Sequence, residues 1–275
     1  MSQTTIAFIG GGNMARSLIG GLIADGRPPA TIRVADPNAD QRHDLAERFG
    51  VTTTHDNSQA ADGAATVVLA VKPGLIKTVA EALADQLRDQ GSLIISIAAG
   101  VRETDISRWL GGSVPVVRCM PNTPSLVQSG VTALYANPWV TAQQQTRAQE
   151  MLQAVGWTEW ISDEALMNSV TAVSGSGPAY FFLIMEAIEE AGAELGLPRE
   201  TVRRLTLQTS LGAARMACDS DEDAATLRRR VTSPGGTTEA ATQALDDGDI
   251  HTLFQRALAV AAGRAGELGD QLGDQ

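Results

Sequence analysis

The sequence predicts an α/β protein, a doubly wound sheet followed by an all-helical second half. Three observations carry this. Short apolar runs alternate with amphipathic helical patterns through the first half. Three adjacent glycines join the first run to the first helix. After about residue 160 strand patterning stops and alanine-rich helical periodicity takes over. The boundary is expected near residue 162, dividing the chain into 1–162 and 163–275.

In order, 6–9 is a short apolar run and 14–24 a helix with Leu18, Leu22 and Ile23 on one side. A strand is expected over 32–35 and a polar-faced helix over 41–49. The run 66–71 is almost wholly apolar, as a strand buried on both faces would be, and a helix follows over 75–87. Further buried strands are expected over 93–98 and 114–119. Strands alternating with helices predict a parallel sheet covered on both faces.

In the second half, helical segments are expected near 164–172, 178–195, 199–218, 222–230, 237–247 and 250–268, separated by Gly, Pro and Asp clusters. Phe181, Phe182, Ile184, Met185, Ile188 and Leu195 cover more than one face of 178–195, so that helix needs burial from several directions. A partner subunit or the centre of a monomeric bundle would each supply it. The tail ELGDQLGDQ reads as a frayed end.

Composition narrows the function. The 275 residues carry 32 acidic and 21 basic side chains, a formal charge of −11, which disfavours nucleic acid as a partner. Two cysteines, Cys119 and Cys218, exclude a disulfide scaffold and a cysteine-rich zinc site and fit a reducing compartment. His43, His55 and His251 lack ligand spacing, so no metal is expected. The start MSQTTIAFIGGG has no signal-peptide pattern, and no apolar stretch reaches the roughly 20 residues of a membrane span. The expected location is the cytoplasm, with no membrane partner.

The sharpest motif is Gly10-Gly11-Gly12-Asn13-Met14-Ala15, a G-x-G-x-x-A turn after a strand and opening a helix. Gly10 permits the tight turn, Gly12 lets the backbone approach a pyrophosphate, and Ala15 allows close helix–strand packing. The helix N-terminus offers free N–H groups to phosphate. Asp36 stands 21 residues after Ala15, near the spacing of a ribose-reading carboxylate. Arg33 and Arg42 lie close enough in sequence to attract a 2′-phosphate, and Asp36-Pro37-Asn38 would equally serve as a turn and helix cap. NADH and NADPH both stay open on these residues. Ala70-Val71-Lys72-Pro73 and Ile97-Ala98-Ala99-Gly100 fall at strand carboxyl ends, where ligands bind in such sheets. Lys72 serves a cofactor there or snorkels to solvent.

Three segments remain. Arg118-Cys119-Met120-Pro121-Asn122-Thr123-Pro124 closes a strand stiffly, as a ligand-facing turn or an interdomain linker. Ser174-Gly175-Ser176-Gly177-Pro178-Ala179-Tyr180 allows close backbone approach ahead of the most apolar helix. Val231-Thr232-Ser233-Pro234-Gly235-Gly236-Thr237-Thr238-Glu239 gathers glycines and threonines at a helix start, a ready carboxylate receptor, with Glu239 also placed for capping.

In order, FIGGGNMA, VLAVKP, RCMPNTP, VTAVSGSGPAY and VTSPGGTTEAA resemble the pyrroline-5-carboxylate reductases over about residues 5–265. The resemblance implies a Rossmann-type doubly wound sheet followed by an all-helical dimerisation domain. It implies reduction of 1-pyrroline-5-carboxylate to L-proline, the last step of proline biosynthesis, with NADPH or NADH. By that likeness Gly10, Gly12, Asn13 and Met14 hold the pyrophosphate, and Asp36 and Asn57 lie toward the adenosine. Val71, Lys72, Pro73, Ala98 and Ala99 flank the cofactor. Glu164 matches a substrate-pocket residue. Gly236, Thr237 and Thr238 match the group receiving the substrate carboxylate and ring nitrogen, with Thr238 the candidate catalytic residue. The family's members resemble obligate homodimers joined through the helical half, often pentamers of dimers. Arg230 stands where some relatives carry Asn near the cofactor, so that contact is not carried over.

Four rivals stand beside this. A β-hydroxyacid dehydrogenase would want a catalytic lysine in the helical half, and 163–275 contains none. A related imine reductase would act on another ring. A nucleotide-binding regulator or an assembly protein would show no imine-dependent turnover.

Overall fold

The computed structural model describes residues 4–274. The chain divides into two compact units, one of residues 4–176 and 261–274, the other Gly177–Val260. The first unit holds an eight-stranded sheet. Its strands are β1 (Ile6–Ile9), β2 (Ile32–Ala35), β3 (Thr52–Thr54), β4 (Thr66–Leu69), β5 (Leu93–Ser96), β6 (Val116–Pro121), β7 (Gly130–Ala136) and β8 (Gly156–Trp160). Their spatial order is β3-β2-β1-β4-β5-β6-β7-β8. The chain winds outward from β1 through β3, then returns to the other side of β1 as β4. That reversal opens a crevice beyond the strand carboxyl ends, the usual ligand position in such sheets.

Helices α1 (Asn13–Ala24), α2 (Ala39–Phe49), α3 (Asn57–Ala61), α4 (Ile76–Gln90), α5 (Glu103–Trp109) and α6 (Ala142–Gln153) connect the strands. Alternate strand residues face opposite layers. Phe8, Val68 and Ile95 pack with Leu18, Ile19 and Leu152 on one side. Ala7, Ile9, Val67 and Ile94 pack with Leu83 and Ile106 on the other. Both layers are buried, which explains the largely apolar runs of β1, β4 and β5. Side-chain caps start several helices: Asn38 for α2, Asp56 for α3 and Thr141 with Gln144 for α6.

The sheet is mixed, and the wholly parallel arrangement expected from the sequence is corrected here. β7 runs antiparallel to β6. The connection 122–129 is shorter than the dozen or so residues a parallel return needs, so the chain turns back.

After β8 come α7 (Met167–Val170) and a wider helical turn over Thr171–Gly175, where Ser176 N–H donates to Thr171 O at 2.8 Å. The second unit contains α8 (Gly177–Glu194), α9 (Arg199–Cys218), α10 (Ala224–Arg230) and α11 (Thr237–Asp247). The division between units falls within α12 (Ile250–Gly273). The tail expected to fray is the end of this helix instead. Gly269 is buried, Leu272 packs on the sheet's core and Arg102 pairs with Asp270. Among the described residues no helix is long and apolar enough to cross a membrane.

Candidate active site

The glycine turn is built for close approach. Gly10 sits at φ +101°, donates its N–H to Ala35 O at 2.8 Å, and leaves no room for a side chain: a Cβ would stand 2.7 Å from Ala70 O. The turn after β1 is thus pressed against the end of β4, at the switch point. At Gly12 a Cβ would meet nothing within 4 Å, so the open side of the turn is free for a ligand. α1 starts at Gly12 with no side-chain cap and no acidic residue in its first turn. Its first N–H groups therefore point outward unpaired, with the positive end of the helix dipole behind them. This cradle fits a pyrophosphate.

The other expected cofactor residues lie beyond the same sheet edge. Asp36 follows β2 and Asn57 lies beyond β3. Val71, Lys72 and Pro73 follow β4, and Ala98 and Ala99 follow β5. Lys72 and Ala99 are exposed, Val71 and Pro73 half-buried, Ala98 buried. At Asp36 the turn-and-cap geometry is the one seen. Its Oδ2 accepts from Gly11 N–H and its Oδ1 from Asn38 N–H, each at 2.8 Å. Arg42 donates to Asp36 O at 2.7 Å and Pro37 O at 3.0 Å. Arg33 is turned to Asp62 O at 2.5 Å. The carboxylate that spacing assigned to ribose thus also clamps two turns together.

Glu164 lies in a buried polar network that the sequence reading missed. Its Oε1 accepts from Arg118 Nη1 at 2.7 Å and from Glu103 N–H at 2.6 Å. Glu103 in turn accepts from Asn137 Nδ2 at 2.7 Å and from the Ser107 hydroxyl. Burial, then the Glu164, Glu103 and Asp163 charges, push the Tyr135 phenol upward from its ordinary value. Asn122, expected as a presented residue, donates to Ser174 O at 3.2 Å and accepts from Val131 N–H at 2.9 Å. Arg118 on β6 and Asn122 just after it thus hold the 164–176 segment at Glu164 and Ser174. Arg118 carried the missed signal, a lone charge inside V-V-R-C-M, because a cation in a buried strand needs a partner.

In the second unit, the TSPGGTT segment is a turn running into α11. Gly235 has φ +71° and donates its N–H to Glu239 Oε2 at 2.7 Å, so Glu239 does cap. Gly236 N–H donates to Ser233 O at 3.0 Å, closing the turn, and is therefore already engaged. The first-turn N–H groups of Thr237 and Thr238 lie within the part of a helix that has no internal acceptors. Arg230 pairs with Glu222 at 2.6 Å. On α8, Phe181, Phe182, Leu183 and Ile188 are each about half or more exposed in the single chain, so the monomeric bundle does not bury them. Among the described residues no group of three or more His, Cys, Asp or Glu could hold a metal ion.

A switch-point crevice, a close-approach glycine turn and an open helix start define an NAD(P)H-dependent oxidoreductase. Family models agree: residues 164–268 match pyrroline-5-carboxylate reductase dimerisation, and 5–100 match NADP oxidoreductase coenzyme F420-dependent. The pyrroline-5-carboxylate reductase of Pseudomonas aeruginosa is 53% identical, covering 99% of this chain and 100% of that one. The solved structure of the Coxiella burnetii pyrroline-5-carboxylate reductase is 49% identical, with a TM-score of 0.94 over 96% of this chain and 98% of that one. The Plasmodium falciparum pyrroline carboxylate reductase, solved with NADP bound, is 27% identical, with a TM-score of 0.85 over 98% and 99%. The chain belongs to the pyrroline-5-carboxylate reductase family.

Proposed function

We propose that this chain reduces 1-pyrroline-5-carboxylate to L-proline with NADPH, NADH serving as a second reductant, as the final step of proline biosynthesis in the cytoplasm. The observation that carries this reading is the end-to-end identity of 53% with the Pseudomonas reductase. Residues 1–162 form the dinucleotide half and 163–275 the substrate half. The cofactor supplies a hydride when bound. Gly10, Gly12, Asn13 and Met14 hold its pyrophosphate, and Asp36 and Asn57 face the adenosine side. Val71, Lys72, Pro73, Ala98 and Ala99 line the rest.

A protonated imine carbon accepts hydride far better than a neutral one. Net reaction takes one hydride to the imine carbon and one proton to the ring nitrogen. Thr238 hydrogen-bonds that nitrogen and relays a proton from water, since a threonine hydroxyl is too weak an acid to supply one unaided. The substrate carboxylate is held at Gly236, Thr237 and Thr238. With Gly236 N–H tied to Ser233 O, the donors are the N–H groups of Thr237 and Thr238. By the family likeness Glu164 is a further substrate-pocket residue. This grip fixes which ring face is presented.

NADPH is favoured because the Arg42 guanidinium, donating to the Asp36 and Pro37 carbonyls, places a cation at the turn after β2 where a 2′-phosphate would be received. Arg42→Ala should raise KM for NADPH about tenfold and leave KM for NADH nearly unchanged, read by paired steady-state assays. The exposed apolar face of α8 is covered by a second copy, giving a homodimer through the helical half, and by the family likeness five such dimers assemble into a decamer. The reading is tested by adding racemic pyrroline-5-carboxylate to protein and NADPH, or NADH, and following reduced-nicotinamide absorbance. Imine-dependent loss with proline as product is expected. Cofactor binding without turnover would leave the regulator as the correct reading.

A further inference from the structure

The loop leaving β5 is weakly held from within. Ala98 N–H reaches Ser96 Oγ at 3.4 Å, and Ile97 N–H reaches Leu69 O at 3.2 Å. Its outer side rests on the last two turns of α12. A Cβ at Gly269 would stand 3.2 Å from Gly100 O and 3.4 Å from Arg102 Nε. A Cβ at Gly273 would stand 2.6 Å from Asp105 Oδ2, and one at Gly100 3.3 Å from Leu272 Cδ1. Arg102 pairs with Asp270, and Arg108 donates to Gly273 O at 2.7 Å.

Gly269 and Gly273 are one turn apart, so both fall on the face meeting the loop and α5. Glycine is a poor helix former. At Gly269 it lets helix backbone sit close against the Gly100 carbonyl, where a side chain would press, and at Gly273 it leaves room for the Asp105 carboxylate.

We propose that these two turns of α12 are a clasp that positions the loop after β5, making Gly269 and Arg102 positioning residues for cofactor binding. The inference rests on the reading that Ala98 and Ala99 flank the cofactor. An unclasped loop samples more conformations, and the nucleotide must then order it at a cost to affinity. The clasp bears on the loop after β5 and on α5, and the carboxylate grip assigned to Thr237 and Thr238 is left as it was.

The test uses the full chain with Gly269→Val, and with R102D, D270R and their combination. Amide hydrogen exchange of 97–102 is measured without nucleotide, and NADPH Kd by fluorescence titration. KM for the imine is measured at saturating NADPH. Gly269→Val should speed exchange at 98–102 about tenfold and weaken NADPH about fivefold, with imine KM within about twofold. The charge-swapped pair should recover part of what either single loses. Unchanged exchange, or a Kd within about twofold of the parent, overturns the clasp. Ala99→Trp separates the two layers. If it binds NADPH as the parent does, the cofactor-flanking reading has failed. If it loses NADPH while Gly269→Val keeps it, the clasp alone has failed. Should Gly269→Val not fold, Gly269→Ala replaces it under the same criteria.

Discussion

Arg118 shows what one residue can settle. Its guanidinium is buried on β6 and answered by Glu164, itself mostly buried. Removing one member of such a pair leaves the other charge unpaired in a poor solvent. Arg118→Ala should lose roughly 3 kcal/mol in urea unfolding, while replacing both partners by apolar residues costs less. Cys119, next along the strand, is fully buried, and burial pushes its thiol upward. In the native protein it should resist iodoacetamide at pH 8, with mass spectrometry finding adducts at Cys119 only after unfolding. Residue identity alone made the glycine turn legible, because Gly10 and Gly12 have few other uses in strand–turn–helix context. It did not reveal that Asp36 clamps Gly11 and Asn38, since a carboxylate at that spacing suits ribose and turn alike.

Caps and packing faces decide the elements. Asp223 starts α10, and hydrogen bonds from the Thr226 hydroxyl and N–H hold its carboxyl below the usual carboxylate range. The folded form therefore releases its proton more readily than the unfolded one. The cap's contribution is present at neutral pH and is lost as pH falls through the folded value. Asp223→Ala should lower Tm at pH 7, and calorimetry across acid pH should show the difference from the parent vanish. The long helices were readable because 3.6-residue periodicity persists over many turns, as in α9 and α11. Most missed elements are short or polar, the seven-residue β7 being the exception. β3 is three threonines, β8 has Glu159 between two tryptophans, and α6 is glutamine-rich, burying only Ala148, Met151 and Leu152. The end of α12 looked like a polar tail because its two glycines weaken helix propensity, and only the contacts of Gly269 with Gly100 and Arg102, and of Gly273 with Asp105, explain them.

For the whole molecule, the decisive fact is incompleteness. A single chain leaves Phe181, Phe182 and Leu183 more than 60% exposed on one helix, a surface a stable monomer would not carry. Light scattering should find dimers or multiples of dimers, and Phe182→Glu should weaken association at least about tenfold. A parent protein that stays monomeric at micromolar concentration would refute the covering copy. The sequence left partner and bundle as alternatives at α8, because periodicity reports that a face needs burial, not what buries it.

The account stands or falls on whether the helix start at Gly236–Thr238 holds the imine. Kinetics of Thr238→Ala beside a titration of NADPH test this most directly. The predicted result is a fall in kcat/KM of roughly a hundredfold with NADPH Kd unchanged. Near-parent kcat/KM with the imine would contradict it.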